Sequence, residues 1–350
     1  MNGRAQRRQF FTDARDPFVI AEIGVNHDGD LDRALELVDA AVAADADAVK
    51  IQWFEAADLL STTANLVEYQ RDTGETDVRE MLRRLELSSD ALASVLERVH
   101  SCGLLAIATV FTPEHVPQAA ELPWDLFKTA SPDLINRPLI EALIATERPL
   151  IVSTGGASMA EVSAMLDWAE SASIAVLHCV SRYPTPVECA ALSGIGVLAD
   201  SFEVPVGYSD HTTALETGAL AVCCGATILE KHLTWSCTAQ GPDHASSIEP
   251  DAFARYVSLA RTARSMLGEP AKEPLDLEIE IISASRQSIA ARHDLHAGML
   301  LEKSDLTTMR PGTGMPPTQI AELLGRRLVR DVQRGGFLAL QDVLPSEDKS

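Results

Sequence analysis

The stretch PFVIAEIGVNHDGDLDRALELVDAAVAADADAVKIQ (17–52) sets the pattern for most of the chain. It places an apolar run, FVIAEIG (18–24), before an amphipathic stretch from Leu31 to Ala44 and a second apolar run, ADAVKIQ (46–52). In the middle stretch, apolar residues recur at the three- and four-residue spacing of a helix. An order of strand, helix and strand is typical of parallel strands joined by crossover helices.

The same alternation continues to Leu267 and contains eight apolar runs in all. The six further runs are LLAIATV (104–110), WDLFKTA (124–130), PLIVST (149–154), IAVLHC (174–179), VPVGYS (204–209) and TILEKHL (227–233). Eight is the number of strands that closes a (β/α)8 barrel. An open doubly wound sheet is the competing layout, but no GxGxxG motif follows the first run. We therefore predict an α/β protein built on a TIM barrel.

The remaining segments differ in composition from the barrel. The polar stretch from Ser61 to Arg84 is too long for an ordinary βα loop and is predicted to cap the barrel mouth. DLHAGMLLEKSDL (294–306) and DVQRGGFLALQDV (331–343) form a weak internal repeat, which indicates a small β-rich domain. The predicted organisation is an N-terminal extension (1–16), a barrel (17–267), a Pro- and Glu-rich linker (268–284) and a β-rich domain (285–345).

The charge of the chain limits its partners. Among its 350 residues, 29 are basic and 51 are acidic, which gives a net charge of −22. This charge would repel both nucleic acid and anionic lipid, so neither is predicted as a partner. The N-terminus has no apolar core of the kind found in signal peptides, and we expect a cytoplasmic protein. The six cysteines show no CxxC pair and are predicted to be reduced core thiols.

Polar residues occur at the predicted carboxyl end of every barrel strand, where active sites of such barrels lie. Two lysines in one mouth predict an anionic ligand, a phosphate or a carboxylate. Two histidines on adjacent strands could share a divalent metal or could be ordinary hydrogen-bonded core residues. The set comprises Glu22, Lys50, Gln52, Thr109, Lys128, Ser131, Asp133, Ser153, His178, Ser181, Tyr183, Ser209, Asp210, His211, Glu230 and His232. For Asp210 and Glu230, holding a loop or a histidine tautomer is an equally good interpretation.

Several of these residues belong to blocks that resemble the sialic acid synthase family. The blocks are AEIGVNHDG (21–29), DAVKIQ (47–52), FKTAS (127–131), IVSTGG (151–156), LHCVSRYPTP (177–186), GYSDHT (207–212), ILEKH (228–232) and GPDH (241–244). The tail, with MRPGTG (309–314), resembles the family's C-terminal antifreeze-like (SAF, β-clip) domain. The similarity runs from about Pro17 to Val343.

The resemblance implies condensation of phosphoenolpyruvate with an N-acylated hexosamine, which gives a nine-carbon 2-keto-3-deoxy sugar acid and phosphate. Glu22 or Asp133 would activate water. The residues implied for phosphoenolpyruvate are Lys50, Thr109, Lys128, Ser131, Ser153, Ser181 and Ser209. Those implied for the sugar are Gln52, Tyr183, Asp243 and Arg310. His211 and His232 would bind a divalent metal, with manganese expected and magnesium or cobalt as alternatives.

The family also implies a domain-swapped homodimer, in which Arg310 reaches the barrel of a second subunit. The chain departs from the family pattern at two places. Pro132 and Asp133 follow Ser131 where the family often has Gly and Glu, and Ser181 occupies a position often held by Asn. The sequence leaves the acceptor open among N-acetylmannosamine, its 6-phosphate and a diacetamido-dideoxy sugar. Two alternative functions are a Schiff-base pyruvate aldolase that uses Lys128 and a non-catalytic carbohydrate-binding protein.

Overall fold

The computed structural model describes residues 16–61, 66, 70–71, 76–169 and 172–345. The chain divides into two compact units, with the boundary between Gly268 and Glu269. The predicted N-terminal extension lies outside the described residues except for Asp16.

The first unit is a closed barrel of eight parallel strands in chain order. The strands are β1 (Phe18–Gly24), β2 (Ala48–Trp53), β3 (Leu105–Val110), β4 (Leu126–Thr129), β5 (Leu150–Ser153), β6 (Ile174–His178), β7 (Val206–Asp210) and β8 (Ile228–His232). Each of the eight apolar runs contains or overlaps one strand, so the barrel prediction is confirmed.

Helices follow the strands, and most of them form the outer layer of the barrel. They are α1 (Leu31–Ala43), α2 (Ala56–Leu59), α3 (Val78–Leu85), α4 (Ser89–Ser101), α5 (Val116–Glu121), α6 (Arg137–Ala145), α7 (Met159–Trp168), α8 (Ser193–Ser201), α9 (Glu216–Cys223) and α10 (Pro250–Leu267). The Asp30 side chain accepts from the N–H of Arg33 and caps α1, and Ser158 and Glu161 form a capping box on α7. In the described part of the chain, no helix has both the length and the apolar composition that spanning a membrane requires.

The barrel interior changes character along the strands. Its amino-terminal half is filled by apolar side chains such as Ile20, Ala48, Ile107 and Leu126. Because side chains on a strand alternate between faces, the residue two positions further on also points inward. At those positions the strands carry Glu22, Lys50, Thr109 and Lys128, which are buried. An apolar base therefore supports a polar upper layer.

Part of the predicted cap, Ser61–Arg84, lies outside the described residues, but helix α3 overlaps its end. Val78 and Met81 of α3 pack against Val25 and Phe54, which follow β1 and β2. These loops leave the carboxyl ends of the strands. The described end of the predicted cap therefore lies at the rim of the polar layer.

The second unit contains a two-stranded antiparallel sheet, β9 (Ser288–Ala291) and β10 (Leu306–Met309), around its own apolar core. This agrees with the prediction of a small β-rich domain. The predicted linker contains a short helix, α11 (Ile279–Ser285), which its Pro- and Glu-rich composition did not suggest. The carbonyl of Ser283 accepts from the N–H of Gly312, which joins α11 to the β-rich part.

The weak sequence repeat in the tail corresponds to a structural one. Asp294 accepts from the backbone N–H of Arg334 at 2.8 Å, and Asp331 accepts from that of Ala297 at 2.7 Å. Each aspartate therefore binds the turn of the other copy, at corresponding positions. This reciprocity gives the second unit an internal pseudo-two-fold arrangement.

Asp305 and Asp342 are also equivalent in this arrangement, and both are buried. They accept from the backbone N–H groups of Glu302 and Ala339 at 2.8 and 2.9 Å. Asp305→Ala and Asp342→Ala should each leave one N–H unpaired and cost roughly 1–3 kcal/mol of local stability. Hydrogen exchange should then become faster at that amide and its neighbours. Exchange unchanged from that of the exposed control Glu322→Ala would contradict this role.

Candidate active site

Four buried charged side chains meet inside the carboxyl end of the barrel. Glu22 and Lys50 lie opposite each other on β1 and β2 and form an ion pair. Glu230 of β8 lies between the two lysines, with Oε2 3.9 Å from Lys50 Nζ and Oε1 3.3 Å from Lys128 Nζ. The hydroxyl of Ser209 donates to Glu230 Oε1 at 2.9 Å. Glu230 is thus the shared counter-charge of both lysines.

Hydroxyl groups complete the surroundings of the two lysines. Lys50 Nζ donates to Thr109 Oγ1 at 3.1 Å, and Lys128 Nζ donates to Ser153 Oγ at 2.6 Å. Lys128 also donates to the backbone carbonyl of Thr129 at 3.2 Å. These residues come from β2 to β5, as the strand-end argument predicted. Together with Glu230 they form one network that contains two ammonium groups, those of Lys50 and Lys128.

Burial and charge act in opposite directions on these groups. Burial raises the pKa of Glu22 above its ordinary value, although Lys50 opposes this effect. Burial would also raise the pKa of Glu230, but Lys128, Lys50 and His232 together lower it. Burial disfavours the charged form of Lys50, but Glu22 and Glu230 outweigh it and raise its pKa. Glu230 therefore stays ionised, whereas Glu22 can take up a proton.

A second polar cluster lies where the loops after β4, β5 and β6 meet. The N–H of Gly155 donates to Ser131 Oγ at 3.1 Å, and Ser131 Oγ lies 3.0 Å from Cys179 Sγ. A Cβ atom at Gly155 would lie only 2.3 Å from Ser181 Oγ, so only glycine fits there. Two hydroxyls and a backbone N–H converging in this way suit an anion. No role was predicted for Gly155 from the sequence, where the available signal is the glycine pair that follows β5 after Thr154.

The two predicted metal ligands lie on neighbouring strand ends, with ring centroids 5.6 Å apart. His211 Nδ1 lies 2.8 Å from the Val180 carbonyl, to which it donates, so its Nε2 is left as an acceptor. His232 Nδ1 is buried, has no hydrogen-bond partner among the described residues and lies 3.6 Å from Asp243 Oδ2. The ring of Tyr183 lies 4.2 Å from that of His211, between centroids.

The donor atoms of this pair fit a divalent ion. Burial lowers the pKa of His211 to about 4 and that of His232 well below its ordinary value, so both rings are neutral, as metal ligands must be. Burial also raises the pKa of Asp243 to about 6, and the opposing effects of His244 and Lys50 do not cancel it. A divalent cation would balance the negative charge of the Asp243 carboxylate and would give the unpaired Nδ1 atom of His232 a partner.

A different cluster with metal-binding residue types lies at the rim of the barrel. Glu55, Asp58 and His115 offer ligand atoms within 4.8 Å of one another, and they follow β2 and β3. Asp58 Oδ2 and His115 Nε2 are 3.1 Å apart and already pair with each other. Both acidic residues are exposed. This cluster was not predicted from the sequence, and it provides a natural control for the histidine pair.

The loop that carries Asp243 is tied to the loop after β1. Asn26 Nδ2 donates to Ser247 Oγ at 2.8 Å, and that hydroxyl donates to the Asp243 carbonyl at 2.6 Å. His244 Nε2 and Asp28 Oδ1 are 3.1 Å apart. The motifs NHDG and GPDH, far apart in sequence, therefore meet. Both motifs belong to the family resemblance, but no role was predicted for Asn26, Asp28 or His244 from the sequence.

The other predicted residues occupy three different places. Gln52 Nε2 and Glu22 Oε1 both lie against Gly24, so Gln52 adjoins the charged network. Asp133 is half-buried in a 3-10 turn, Ser131–Ile135, with Oδ1 3.5 Å from Asn136 Nδ2 of the same segment. Burial raises the pKa of Asp133. Arg310 belongs to the second unit, where it follows β10 and is exposed.

Comparison with known proteins places the chain in a family. The NeuB family model matches residues 37–272, and the SAF domain model matches residues 286–344. The chain is 37% identical over 335 residues to N,N'-diacetyllegionaminic acid synthase of Legionella pneumophila. This match covers 93% of this chain and 94% of the relative. It is 31% identical over 323 residues to N-acetylneuraminate-9-phosphate synthase of Homo sapiens, which covers 90% and 89%.

A crystal structure gives the same result. N-acetylneuraminic acid synthetase from Leptospira borgpetersenii, solved in complex with citrate, is similar with a TM-score of 0.70 at 33% identity. The match covers 76% of this chain and 90% of that one. The chain therefore belongs to the NeuB family, whose relatives named here are synthases of sialic and other nonulosonic acids.

Proposed function

We propose that the protein is a nonulosonic acid synthase that condenses phosphoenolpyruvate with an N-acylated hexosamine. The observation that carries the proposal is the buried pair Lys50 and Lys128, which share Glu230 beside two neutral histidines. The condensation requires a site for the phosphate and carboxylate of phosphoenolpyruvate next to a site that can hold a metal ion near the sugar aldehyde. Membership of the NeuB family supports the same reaction.

Phosphoenolpyruvate carries a phosphate and a carboxylate, and the mouth has two places for acidic groups. One is the lysine pair with Thr109, Ser153 and Ser209. The other is the cluster of Ser131 and Ser181 around the N–H of Gly155. The two are adjacent, because Ser153 and Gly155 belong to the same strand end. Bound across both, the substrate would be held by charge-assisted hydrogen bonds.

The sugar is proposed to lie on the β7 and β8 side of the mouth, near Gln52, Tyr183 and Asp243. There, His211 and His232 would hold a divalent ion, manganese in this proposal, with magnesium or cobalt as alternatives. When bound, the ion supplies Lewis acidity toward the aldehyde oxygen of the open-chain sugar. The protein's own part is to keep both imidazoles neutral and turned toward the mouth.

The reaction balances as one condensation and one hydration. The C2–C3 π electrons of phosphoenolpyruvate form a bond from C3 to the aldehyde carbon. The π bond of the aldehyde breaks, and its oxygen takes up a proton from solvent. Water then adds to the cationic C2 and gives up a proton, for which Glu22 is the proposed acceptor because burial raises its pKa. Finally the bond between C2 and the phosphate oxygen breaks, the C2 hydroxyl becomes the keto group, and its proton leaves with the phosphate.

The test of this function is the product formed from phosphoenolpyruvate and a panel of hexosamines. The panel comprises N-acetylmannosamine, its 6-phosphate and a diacetamido-dideoxy hexose. Mass spectrometry should find one nine-carbon keto acid for each phosphate released. Borohydride trapping of pyruvate on Lys128, with no condensed product from phosphoenolpyruvate, would instead indicate the aldolase. Absence of turnover with ligand binding retained would indicate a carbohydrate-binding protein.

Chelation should abolish activity, and Mn²⁺ should restore it. His211→Ala should weaken Mn²⁺ binding by more than the roughly 10- to 100-fold that follows loss of a group behind a ligand. Calorimetric titration with Mn²⁺ measures this directly. His115→Ala is the matched control, because it removes the histidine of the rim cluster and should leave this affinity unchanged. The reverse pattern would place the ion at Glu55, Asp58 and His115.

Glu22→Gln should lower kcat by roughly 10²- to 10⁴-fold, the usual contribution of general acid–base catalysis. Asp133→Asn should lower it less than about tenfold, since Asp133 contacts its own turn. Steady-state kinetics with both substrates saturating separates the two candidates. A larger loss in Asp133→Asn would identify Asp133 as the base and contradict the assignment of Glu22.

Two finer features belong to the same proposal. The first is a cytoplasmic location, which fits six cysteines that form no disulfide. The predicted core position of these thiols is wrong for Cys189 and Cys223, which are exposed. The second is a domain-swapped homodimer in which Arg310 binds the sugar across the subunit interface. Such a C2 dimer would contain two equal sites, each built from both chains.

Mixing His211→Ala with Arg310→Ala under conditions of subunit exchange tests the shared site. A hybrid dimer would contain one site with both lesions and one with neither, so activity should return toward a quarter of the unmodified rate for random mixing of equal amounts. Mass photometry or tagged purification confirms that hybrids form. Hybrids without recovered activity would show that Arg310 does not act across an interface.

A further inference from the structure

A buried ion pair with no part in the proposed reaction lies directly behind the two histidines. Asp210 immediately precedes His211, and Lys231 immediately precedes His232. Both side chains are fully buried, and Lys231 Nζ lies 3.2 Å from Asp210 Oδ2. Neither side chain belongs to the lysine network of the barrel mouth.

Besides the backbone ladder, two side-chain contacts among the described residues join β7 to β8, and the pair is one of them. Ser209 and Glu230 point into the barrel and are joined at 2.9 Å. Asp210 and Lys231 are the next residues along each strand, so they point outward toward the helices. The two strand ends are therefore held on both faces of the barrel wall, at the level where the histidines emerge.

The outer contact also fixes the turn that follows β7. The Thr212 N–H donates to Asp210 Oδ1 at 2.8 Å, and Lys231 Nζ donates to the Thr212 carbonyl. Thr217 of α9 donates to Asp210, and the ring of Tyr256 of α10 lies 5.5 Å from Lys231 Nζ. The backbone on each side of His211 is thereby bound to the pair.

Stability alone is a poor explanation for such a pair. Taking both charges out of water is costly, and replacing a buried ion pair by uncharged side chains of similar shape is often neutral or stabilising. What a paired and fully hydrogen-bonded set of charges does provide is a single geometry.

We propose that Asp210 and Lys231 are positioning residues for the divalent-ion site formed by His211 and His232. By fixing the end of β7 against the end of β8, the pair sets the distance and orientation of the two imidazoles. This inference rests on the metal site in the proposed function.

The test uses the full chain, Mn²⁺ as the probe and four variants. These are Asp210→Asn, Lys231→Met, the double variant, and Val257→Ala. Val257→Ala is a control that opens a cavity where the buried face of α10 packs. Calorimetry gives the Mn²⁺ affinity, and differential scanning calorimetry gives Tm. Each single variant should lower Tm and weaken Mn²⁺ binding about 10- to 100-fold, as loss of outer-shell partners does.

The double variant separates positioning from stability. Without an unpaired buried charge it should recover most of the lost Tm, whereas its Mn²⁺ affinity should stay at least about tenfold low. Val257→Ala should lower Tm and leave the affinity unchanged. Unmodified affinity in the single variants, or recovery of affinity together with Tm in the double variant, would overturn the proposal. Unmodified protein that binds Mn²⁺ no better than His211→Ala would instead refute the metal site itself, and this inference with it.

Discussion

One carboxylate shared by two buried ammonium groups is the interaction on which the site depends. Moving a single charge from water into a protein interior costs several kcal/mol, so neither Lys50 nor Lys128 would be stable there alone. Glu230, at 3.9 and 3.3 Å from their Nζ atoms, makes their burial possible. Glu22 adds a second negative group beside Lys50. The lysines are thus held in place before any substrate arrives, and they can accept further negative charge.

The barrel supplies this arrangement through its two-residue alternation. Ile20 and Ala48 fill the base of the interior, and the residues two positions later, Glu22 and Lys50, form its polar layer. Ser209 links the lysine network to the histidine side, because its hydroxyl donates to Glu230 and lies two residues before His211. The anion site and the metal-type site are therefore adjacent, because both use residues from the end of β7. This proximity is what a condensation between two different substrates needs.

The sequence predicted well whatever depends on strand periodicity. The eight strands, the inward position of Lys50 and Lys128 and the repeat in the tail all follow from patterns visible along the chain. Contacts that depend on the register between strands or on three loops meeting were not predictable in this way. Glu230 was recognised as polar, but its role between the lysines requires knowing which side chains share its level in the barrel. The close approach of Gly155 to Ser131 and Ser181 likewise has no counterpart in a linear pattern. Residue chemistry alone did not distinguish a Schiff-base aldolase from a synthase. The family resemblance, which the comparisons confirm, favours the synthase.

The most direct test of this account is the binding of phosphoenolpyruvate to the isolated protein, measured by calorimetry without sugar. The account predicts that Lys50→Met and Lys128→Met each weaken binding by roughly tenfold to a hundredfold, the value of a charge-assisted contact of about 1.5–3 kcal/mol. Arg137→Met, which removes an exposed cation on α6, should leave the affinity unchanged. Phosphoenolpyruvate affinity that is the same in the folded lysine variants as in the unmodified protein would contradict the account.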